Sequence, residues 1–257
     1  MKHIIMLGTG DPLSEERVQT SLALPLDAGE TLLIDTTSGT ALLHQLREAG
    51  IALIGIRHLV ISHRHFDHAG GLAPLLTALV AVPEASLTVY SPHDTLYILR
   101  AMLALTIPGV EDWLGARLRW QALALDTPVE IGSALVTPFA VDHGIECIGL
   151  RLALGGGSVV FSADTRPSAN LVTHARDVDL LIHEAYGLVD TAVATHLFGH
   201  STAAEAGAAA RAAGARRLLL THFRARRFVD PDELAVEAAA VFGRPVELAR
   251  DLGVVSL

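Results

Sequence analysis

Short apolar runs alternate with longer amphipathic stretches along almost the whole chain. The apolar runs are rich in Ile, Leu and Val and read HIIMLG, TLLIDT, RHLVISH, LTVYS, SVVFSAD, DLLIHE and RRLLLTH. Continuous runs of this length are typical of strands that are buried on both faces. The stretches between them predict helices over residues 40–49, 72–81, 95–105, 202–213 and 231–242. This alternation predicts an α/β protein whose sheets are covered by helices on the outside.

The ends of two predicted helices carry capping signals. Thr202 and Glu205 stand three apart at the start of an Ala-rich run, which is the pattern of a capping box. Gly50 and Gly214 follow two of the helices, where a C-terminal stop is expected. Residues 115–154 have a more turn-rich, β-like character. Because no low-complexity linker divides the chain, we predict a single domain over residues 1–257.

The composition indicates which cellular compartment and which classes of partner to expect. The 257 residues carry a formal charge of −9 with a single lysine, which argues against nucleic acid as a partner. The lone cysteine, Cys147, excludes an internal disulfide and suits a reducing compartment. The longest uncharged apolar stretch, residues 69–82, is too short to span a bilayer, and the N-terminal MKHIIMLGTG does not form a signal peptide. We therefore expect a cytoplasmic protein with no membrane partner.

Several predicted strands end in a side chain that can bind a metal or move a proton. His63, Asp164, Glu184 and His222 each stand at or just after the end of an apolar run. In α/β folds, active sites gather outside the ends of the strands. One such ending means little, but four of them predict that these side chains converge on one site.

The strongest short signal is SHRHFDHAGG, residues 62–71. It supplies His63, His65, Asp67 and His68 within six residues, and imidazole and carboxylate are ligands that zinc prefers. The two-residue spacing of His63 and His65 aims both rings into one site from an extended segment. Because six residues cannot enclose two ions, further ligands must come from elsewhere. The candidates are His143, Asp164 and His222, although Asp142 competes with His143 and Asp164 could instead cap a turn.

HxHxDH followed by a later His, Asp and His resembles the metallo-β-lactamase superfamily. MLGTG, VVFSADTRPSANL, DLLIHEA, GHSTAAEA and LLLTHF resemble ribonuclease Z and its relatives within it. The resemblance implies an αββα four-layer sandwich and two Zn²⁺ per chain, with Mn²⁺ or Fe²⁺ as alternatives, and it implies a homodimer. It assigns the first ion to His63, His65, His143 and Asp164. It assigns the second ion to Asp67, His68, Asp164 and His222.

The resemblance also implies a hydrolytic mechanism. Two close cations lower the pKa of a bridging water, and the resulting hydroxide attacks while Asp67 serves as general base. His200, held by Glu184, is expected to protonate the leaving group; the alternative is a purely structural contact. Arg226, in THFRARRF where the family has THFSSRY, is expected near the scissile phosphate. Asp35 is expected to orient the HxHxDH loop, or else merely to form a turn.

The sequence departs from tRNA-processing ribonuclease Z in two places. Residues 69–142 show no excursion that would form the long arm with which those enzymes grip tRNA, and residues 11–21 are acidic. We therefore predict a hydrolase of a small phosphodiester or a related ester such as an aryl sulfate. The alternatives are a tRNA 3′-processing endoribonuclease, a lactonase and a metal-binding protein without hydrolytic activity. Residues 107–120 hold both tryptophans and predict either a lid or core packing.

Overall fold

The computed structural model describes residues 2–257. Within them the chain forms fourteen strands: β1 (His3–Gly8), β2 (Ser21–Pro25), β3 (Thr31–Ile34), β4 (Ile56–Val60), β5 (Leu87–Ser91), β6 (Leu118–Ala122), β7 (Val129–Ile131), β8 (Ala134–Ala140), β9 (Ile148–Leu154), β10 (Gly157–Phe161), β11 (Leu180–Glu184), β12 (Arg217–Thr221), β13 (Glu247–Leu248) and β14 (Gly253–Ser256). The α-helices over the same residues are α1 (Ala41–Glu48), α2 (Phe66–Ala69), α3 (Leu72–Val80), α4 (His93–Thr106), α5 (Val110–Leu114), α6 (Ala169–His174), α7 (Ala192–Leu197), α8 (Ala203–Ala213) and α9 (Pro231–Phe242).

The described strands form two mixed sheets. The first has the order β14-β1-β2-β3-β4-β5-β6, and the second has the order β13-β12-β11-β10-β9-β8-β7. Strands β3 to β6 are parallel to one another, and so are β10 to β13. The carboxyl ends of parallel strands meet at one edge of a sheet, which is where ligands bind in α/β folds. Each sheet therefore contributes one such edge.

The side chains of the first sheet divide between two cores. Leu22, Leu24 and Leu32 pack in the larger core with strands β8 to β12 of the second sheet. Their neighbours Ala23 and Leu33 point the other way and pack against α1, α3 and α4. This alternation follows from the two-residue period of a strand. The arrangement confirms the predicted αββα sandwich, whereas the single domain over residues 1–257 stays a prediction.

The predicted elements are recovered with small shifts at their ends. The five predicted helices correspond to α1, α3, α4, α8 and α9, and the capping box of Thr202 and Glu205 is formed at the start of α8. Gly50 and Gly214 both have the positive φ that a C-terminal stop requires. The sequence analysis missed the short elements β2, β13, β14, α2, α6 and α7. The missed helices span less than two turns and so cannot show a helical period. The strands β2 and β14 are as long as strands that the sequence analysis did predict, so length does not explain why they were missed.

The segment of residues 107–120 lies away from the carboxyl edge of the first sheet. It forms α5 and leads into the amino end of β6, which is parallel to β5. Trp120 packs against the core on the helix side of this sheet, but Trp113 is 57% exposed. The position of Trp120 therefore indicates core packing. A lid over the carboxyl edge does not fit a segment that lies away from that edge. Across residues 2–257, every helix is too short or too polar to cross a membrane.

Candidate metal centre

Four loops that follow strands bring the predicted ligands together, and a fifth lies directly behind them. The loops after β4, β8, β10 and β12 carry, in turn, the HxHxDH residues, His143, Asp164 and His222. The strands end earlier than the apolar runs predict: β4 ends at Val60 and β10 at Phe161, so the ligand candidates lie in the loops beyond. The loop after β3 adds Asp35 behind them. The carboxyl edges of both sheets thus converge on one place.

One group of donor atoms lies near the mouth of the site. His65 Nδ1 is 3.1 Å from His63 Nε2 and 3.1 Å from His143 Nε2. Asp164 Oδ2 is 3.6 Å from His63 Nε2. Their donor atoms all lie within 4.8 Å of one another, close enough to hold one metal ion.

A second group lies deeper and shares Asp164 with the first. His68 Nε2 is 3.2 Å from Asp67 Oδ2 and 3.3 Å from Asp164 Oδ2, and His222 Nε2 is 3.5 Å from the same Asp164 oxygen. All four residues are buried. Asp164 therefore belongs to both groups, and its carboxylate would be shared by the two ions that the sequence analysis expects.

The deeper group contains buried polar atoms without partners. Within the described residues, Asp67 Oδ2, His68 Nε2 and His222 Nε2 make no hydrogen bond. An unsatisfied buried polar group costs about 1–3 kcal/mol, so three in contact require a compensating ligand. Imidazole nitrogens and carboxylate oxygens fit a divalent cation such as zinc. The donor set therefore fits the metal that the sequence predicts.

In four histidines the ring nitrogen that faces away from the site makes a hydrogen bond. This bond fixes which of the two ring nitrogens carries the proton. Ser62 Oγ donates to Asp35 Oδ2, so His63 Nδ1 must donate to Ser62 Oγ at 3.0 Å. Nδ1 of His68 donates to Asp35 Oδ2 at 2.8 Å, and Nδ1 of His143 donates to a backbone carbonyl at 2.8 Å. A proton on Nδ1 leaves Nε2 with a free lone pair, which is the form that binds a metal.

His222 follows the same rule through Thr20. Thr20 Oγ1 donates to the carbonyl of Gly10, so it accepts from His222 Nδ1 at 2.9 Å. Burial lowers the pKa of His222 to about 4 and also lowers that of His63, which keeps both rings neutral at pH 7. Burial also opposes the charge on His68, but three surrounding carboxylates raise its pKa. With its pKa raised, His68 holds an extra proton on its ring, and a bound cation would replace that proton.

Asp35 connects the first sheet to the HxHxDH loop. Its Oδ1 accepts from Ser62 N at 2.7 Å, while its Oδ2 accepts from Ser62 Oγ and from His68. The carboxylate is fully buried. These contacts tie the HxHxDH loop and the His68 ring to the end of β3, and the role of Asp35 in orienting the loop stays a prediction.

The backbone around the site is strained. Asp35, Thr37, Ala163 and His222 all have φ between 51° and 59° without being glycine. Such conformations cost of order 1–3 kcal/mol each and persist where surrounding contacts require them. Here they turn the chain sharply after β3, β10 and β12, which directs His222 and Asp164 into the site.

His200 and Glu184 form a buried pair beside the donor groups. Glu184 ends β11, and its Oε1 accepts from His200 Nδ1 at 3.0 Å and from the backbone N–H of Thr165 at 2.9 Å. Burial alone would lower the pKa of His200, but the Glu184 carboxylate outweighs it and raises that pKa to about 9. The His200 ring lies 5.3 Å from the rings of both His143 and His222. The pair is therefore in place to hold a proton next to the metal site.

The capping box at α8 holds His200 in position. Thr202 and Glu205 exchange both hydrogen bonds of the box two residues after His200. Glu205 also lies 2.8 Å from Nε2 of His196, which ties α7 to the same cap. Tyr186 stacks on the His200 ring at 4.2 Å with an interplanar angle of 5°. The sequence analysis missed Tyr186, although it lies only two residues beyond Glu184.

A family model described as "Beta-lactamase superfamily domain" matches residues 30–223, about three quarters of the chain. The chain belongs to the metallo-β-lactamase superfamily. Ribonuclease Z of Bacillus subtilis strain 168 is 30% identical over an alignment of 298 positions, which covers 95% of each chain. Ribonuclease Z of Kineococcus radiotolerans is 29% identical and covers 99% of this chain and 95% of its own. The superfamily member described here is thus a metal-dependent hydrolase of the ribonuclease Z-like branch.

Solved structures show the same fold. The metallo-β-lactamase fold protein YhfI of Bacillus subtilis superimposes with a TM-score of 0.85 at 25% identity and covers 98% of both chains. The short form of human tRNase Z superimposes with a TM-score of 0.77 at 24% identity, over 99% of this chain and 98% of its own. The sandwich of this hydrolase is therefore shared over its full described length.

Arg226, the predicted substrate-binding residue of this hydrolase, forms an ion pair with a neighbouring acid. Its guanidinium is exposed and pairs with Asp230 at 3.0 Å. Its neighbour Arg227 pairs with Glu15. The role of Arg226 in substrate binding stays a prediction, and in this structure it would first have to leave Asp230.

We predict that Asp35→Asn weakens divalent-metal binding about 10–100-fold, because the amide cannot accept from both Ser62 and His68 as the carboxylate does. Asparagine tolerates the positive φ of this position, so the backbone turn is kept. Competition against a chromogenic chelator measures the affinity. Asp27→Asn is the matched control, because the Asp27 carboxylate is exposed and pairs with Lys2 at the surface, while the backbone N–H of Asp27 donates to Ser133 Oγ and is unaffected by the substitution. An unchanged affinity in Asp35→Asn would contradict the prediction.

Proposed function

We propose that this protein hydrolyses a small phosphodiester, or a related ester such as an aryl sulfate, with two divalent ions that are zinc by preference. The observation that carries the proposal is the sharing of Asp164 by two donor groups next to the His200–Glu184 pair. Two close cations are typical of enzymes that cleave phosphate esters. The proposal includes Mn²⁺ and Fe²⁺ as alternative metals, and the homodimer expected from the sequence stays a prediction.

The first ion would be held by His63, His65, His143 and Asp164, and the second by Asp67, His68, Asp164 and His222. When bound, the ions would lower the pKa of a water molecule and polarise the attacked ester group. Asp67 is then the proton acceptor. Its Oδ2 faces His68 and would bind the second ion, which leaves the other carboxylate oxygen, Oδ1, to take the proton of the attacking water.

His200 is the proton donor to the leaving group in this proposal. Nδ1 of His200 is engaged by Glu184, which leaves the proton on Nε2 for the departing oxygen. The carboxylate of Glu184 stabilises the charged ring and fixes its orientation. Tyr186 packs flat on one face of the ring and limits its rotation. Together these contacts keep the acid aimed at the donor groups.

A small substrate is supported by what this chain lacks relative to ribonuclease Z. The alignment with the Bacillus subtilis enzyme spans 298 positions against 257 residues here, so at least 41 positions of the alignment have no counterpart in this chain. In the described chain, the longest connections between α3 and β8 are residues 81–86 and 123–128. Neither is long enough to form an arm. The exposed Arg226 and Arg227 are neutralised by acids, which weakens attraction for a polyanion.

The second candidate function is 3′ processing of tRNA. The specific observation in its favour is the name ribonuclease Z, which both relatives compared above carry at 29–30% identity over nearly the whole chain. The missing positions and the charge of −9 make it the weaker candidate.

We predict that the metal-free protein regains hydrolysis of bis(p-nitrophenyl) phosphate when it is loaded with Zn²⁺ or Mn²⁺, because both donor groups must be filled. Release of p-nitrophenolate measures the rate, and EDTA-treated protein is the control. No turnover with either metal would overturn the proposal. Salt-sensitive binding of precursor tRNA together with cleavage at its 3′ side would favour the second candidate instead.

We predict that His200→Ala keeps its metal content but hydrolyses diphenyl phosphate about 10²–10⁴-fold more slowly, because phenolate is a poor leaving group that needs a proton. Bis(p-nitrophenyl) phosphate, whose leaving group is good, should slow far less. Glu184→Gln should show the same dependence on the leaving group. Metal loss, or equal slowing of both substrates, would mean that His200 is a structural residue.

A further inference from the structure

The loop between β12 and α9 carries three arginines that differ in their partners. Arg226 pairs with Asp230 and Arg227 pairs with Glu15. Arg224 makes no hydrogen bond within the described residues, and no carboxylate oxygen there lies within 4.0 Å of its nitrogens. Of the three guanidinium groups, that of Arg224 is therefore the one without a carboxylate in direct contact. It interacts electrostatically with Asp11, whose pKa burial raises to about 6 while the charge of Arg224 opposes that rise.

Two aromatic rings hold the Arg224 guanidinium. Its Cζ lies 4.7 Å from the centre of the Tyr186 ring and 4.4 Å from the centre of the Phe228 ring. Nε is buried without a hydrogen-bond partner, but the terminal nitrogens are not among the buried unpartnered atoms. A guanidinium packed against aromatic rings keeps its terminal N–H groups in a fixed fork that matches a carboxylate or a phosphate. The rings thus fix the donors in place without using them.

The side chain of Arg224 also lines a cavity of about 230 Å³ beside this loop. Four other charged residues line it, namely Glu16, Arg17, Arg226 and Asp251. Arg226 is paired with Asp230, whereas Glu16 accepts only from the backbone N–H of Arg226, at 3.4 Å, within the described residues. Arg17 donates to Thr9 Oγ1 and to a backbone carbonyl, and Asp251 accepts from Thr9 and from a backbone N–H. Among the three arginines that line this cavity, Arg224 is therefore the one whose guanidinium has no hydrogen-bond or ion-pair partner within the described residues.

The site is linked to the metal centre by one aromatic ring. Tyr186 contacts the Arg224 guanidinium and also stacks on His200 at 4.2 Å. An anion bound by Arg224 would therefore lie close to the proton donor but apart from the donor groups that would hold the metals. A substrate that reaches both the metal-donor groups and Arg224 must carry a second negative charge next to the ester that is cleaved.

We propose that Arg224 binds a second phosphate group of the substrate, one that is not cleaved, so that this hydrolase prefers phosphodiesters that carry an additional phosphate. The proposal rests on the function proposed above and names its substrate class more closely. It assigns substrate binding in this loop to Arg224 rather than to Arg226. The two aromatic side chains act as positioning residues for the guanidinium.

Two chromogenic substrates that differ by one phosphate test the proposal. They are thymidine 5′-(p-nitrophenyl phosphate) and its 3′-phosphorylated counterpart. The metal-loaded protein should show a KM at least about tenfold lower for the 3′-phosphorylated substrate, the effect of one charge-assisted contact. Arg224→Met, which keeps the apolar stem between the rings, should abolish this difference in KM. Arg227→Met is the matched control, because Arg227 stacks on the same Phe228 ring but is already paired.

Calorimetry separates this proposal from the hydrolytic one. Binding of thymidine 3′,5′-bisphosphate and of thymidine 5′-monophosphate to the metal-loaded protein does not depend on turnover. A preference for the bisphosphate that disappears in Arg224→Met supports the site even where neither chromogenic substrate is cleaved. Equal binding of both nucleotides by the wild type would overturn it. So would a preference that survives in Arg224→Met or that is lost in Arg226→Met instead.

Discussion

Asp164 is the residue around which the buried part of the site is arranged. Its Oδ2 lies within 4 Å of the ring nitrogens of His63, His68, His143 and His222, and almost no solvent reaches it. A carboxylate in such surroundings is costly unless positive charge compensates it. With the four Nδ1 protons directed outward, the compensation must come from a proton on a ring or from bound cations. Because a proton on Nδ1 leaves each Nε2 with the free lone pair that binds a metal, these tautomers favour bound cations.

The fold delivers this arrangement by joining two sheets at their carboxyl edges. Each sheet alone supplies only part of the donor set: His63 follows a strand of the first sheet, while Asp164 and His222 follow strands of the second. The large core between the sheets therefore sets the distance between the donor atoms. The strained turns at Ala163 and His222 are maintained by the packing behind them. Stability of the sandwich and geometry of the site are thus coupled.

Much of this could be predicted from the sequence, for identifiable reasons. The apolar runs mark the strands, and HxHxDH places four donors within six residues. The capping box of Thr202 and Glu205 follows directly from spacing. What spacing could not show are contacts that depend on the third dimension. Examples are the Tyr186 ring on His200 and the outward hydrogen bond of His222 to Thr20.

The arginines of the loop between β12 and α9 are a second example of contacts that spacing along the sequence does not reveal. A motif comparison aligns Arg226 with a family position, but only the packing shows that Arg226 is paired with Asp230. Arg224 packs on Tyr186 and Phe228 and has no carboxylate within 4.0 Å among the described residues. The charge state of a surface loop depends on neighbours that are distant in sequence, such as Glu15 beside Arg227. For that reason the ligand candidates were easier to predict than the residues that select the substrate.

The most direct test of the shared role of Asp164 is anomalous diffraction above the zinc edge from crystals grown with Zn²⁺. Two anomalous peaks are predicted, both in contact with the Asp164 carboxylate. One should lie among His63, His65 and His143, and the other among Asp67, His68 and His222. A single peak, or two peaks of which one does not touch Asp164, would contradict the account.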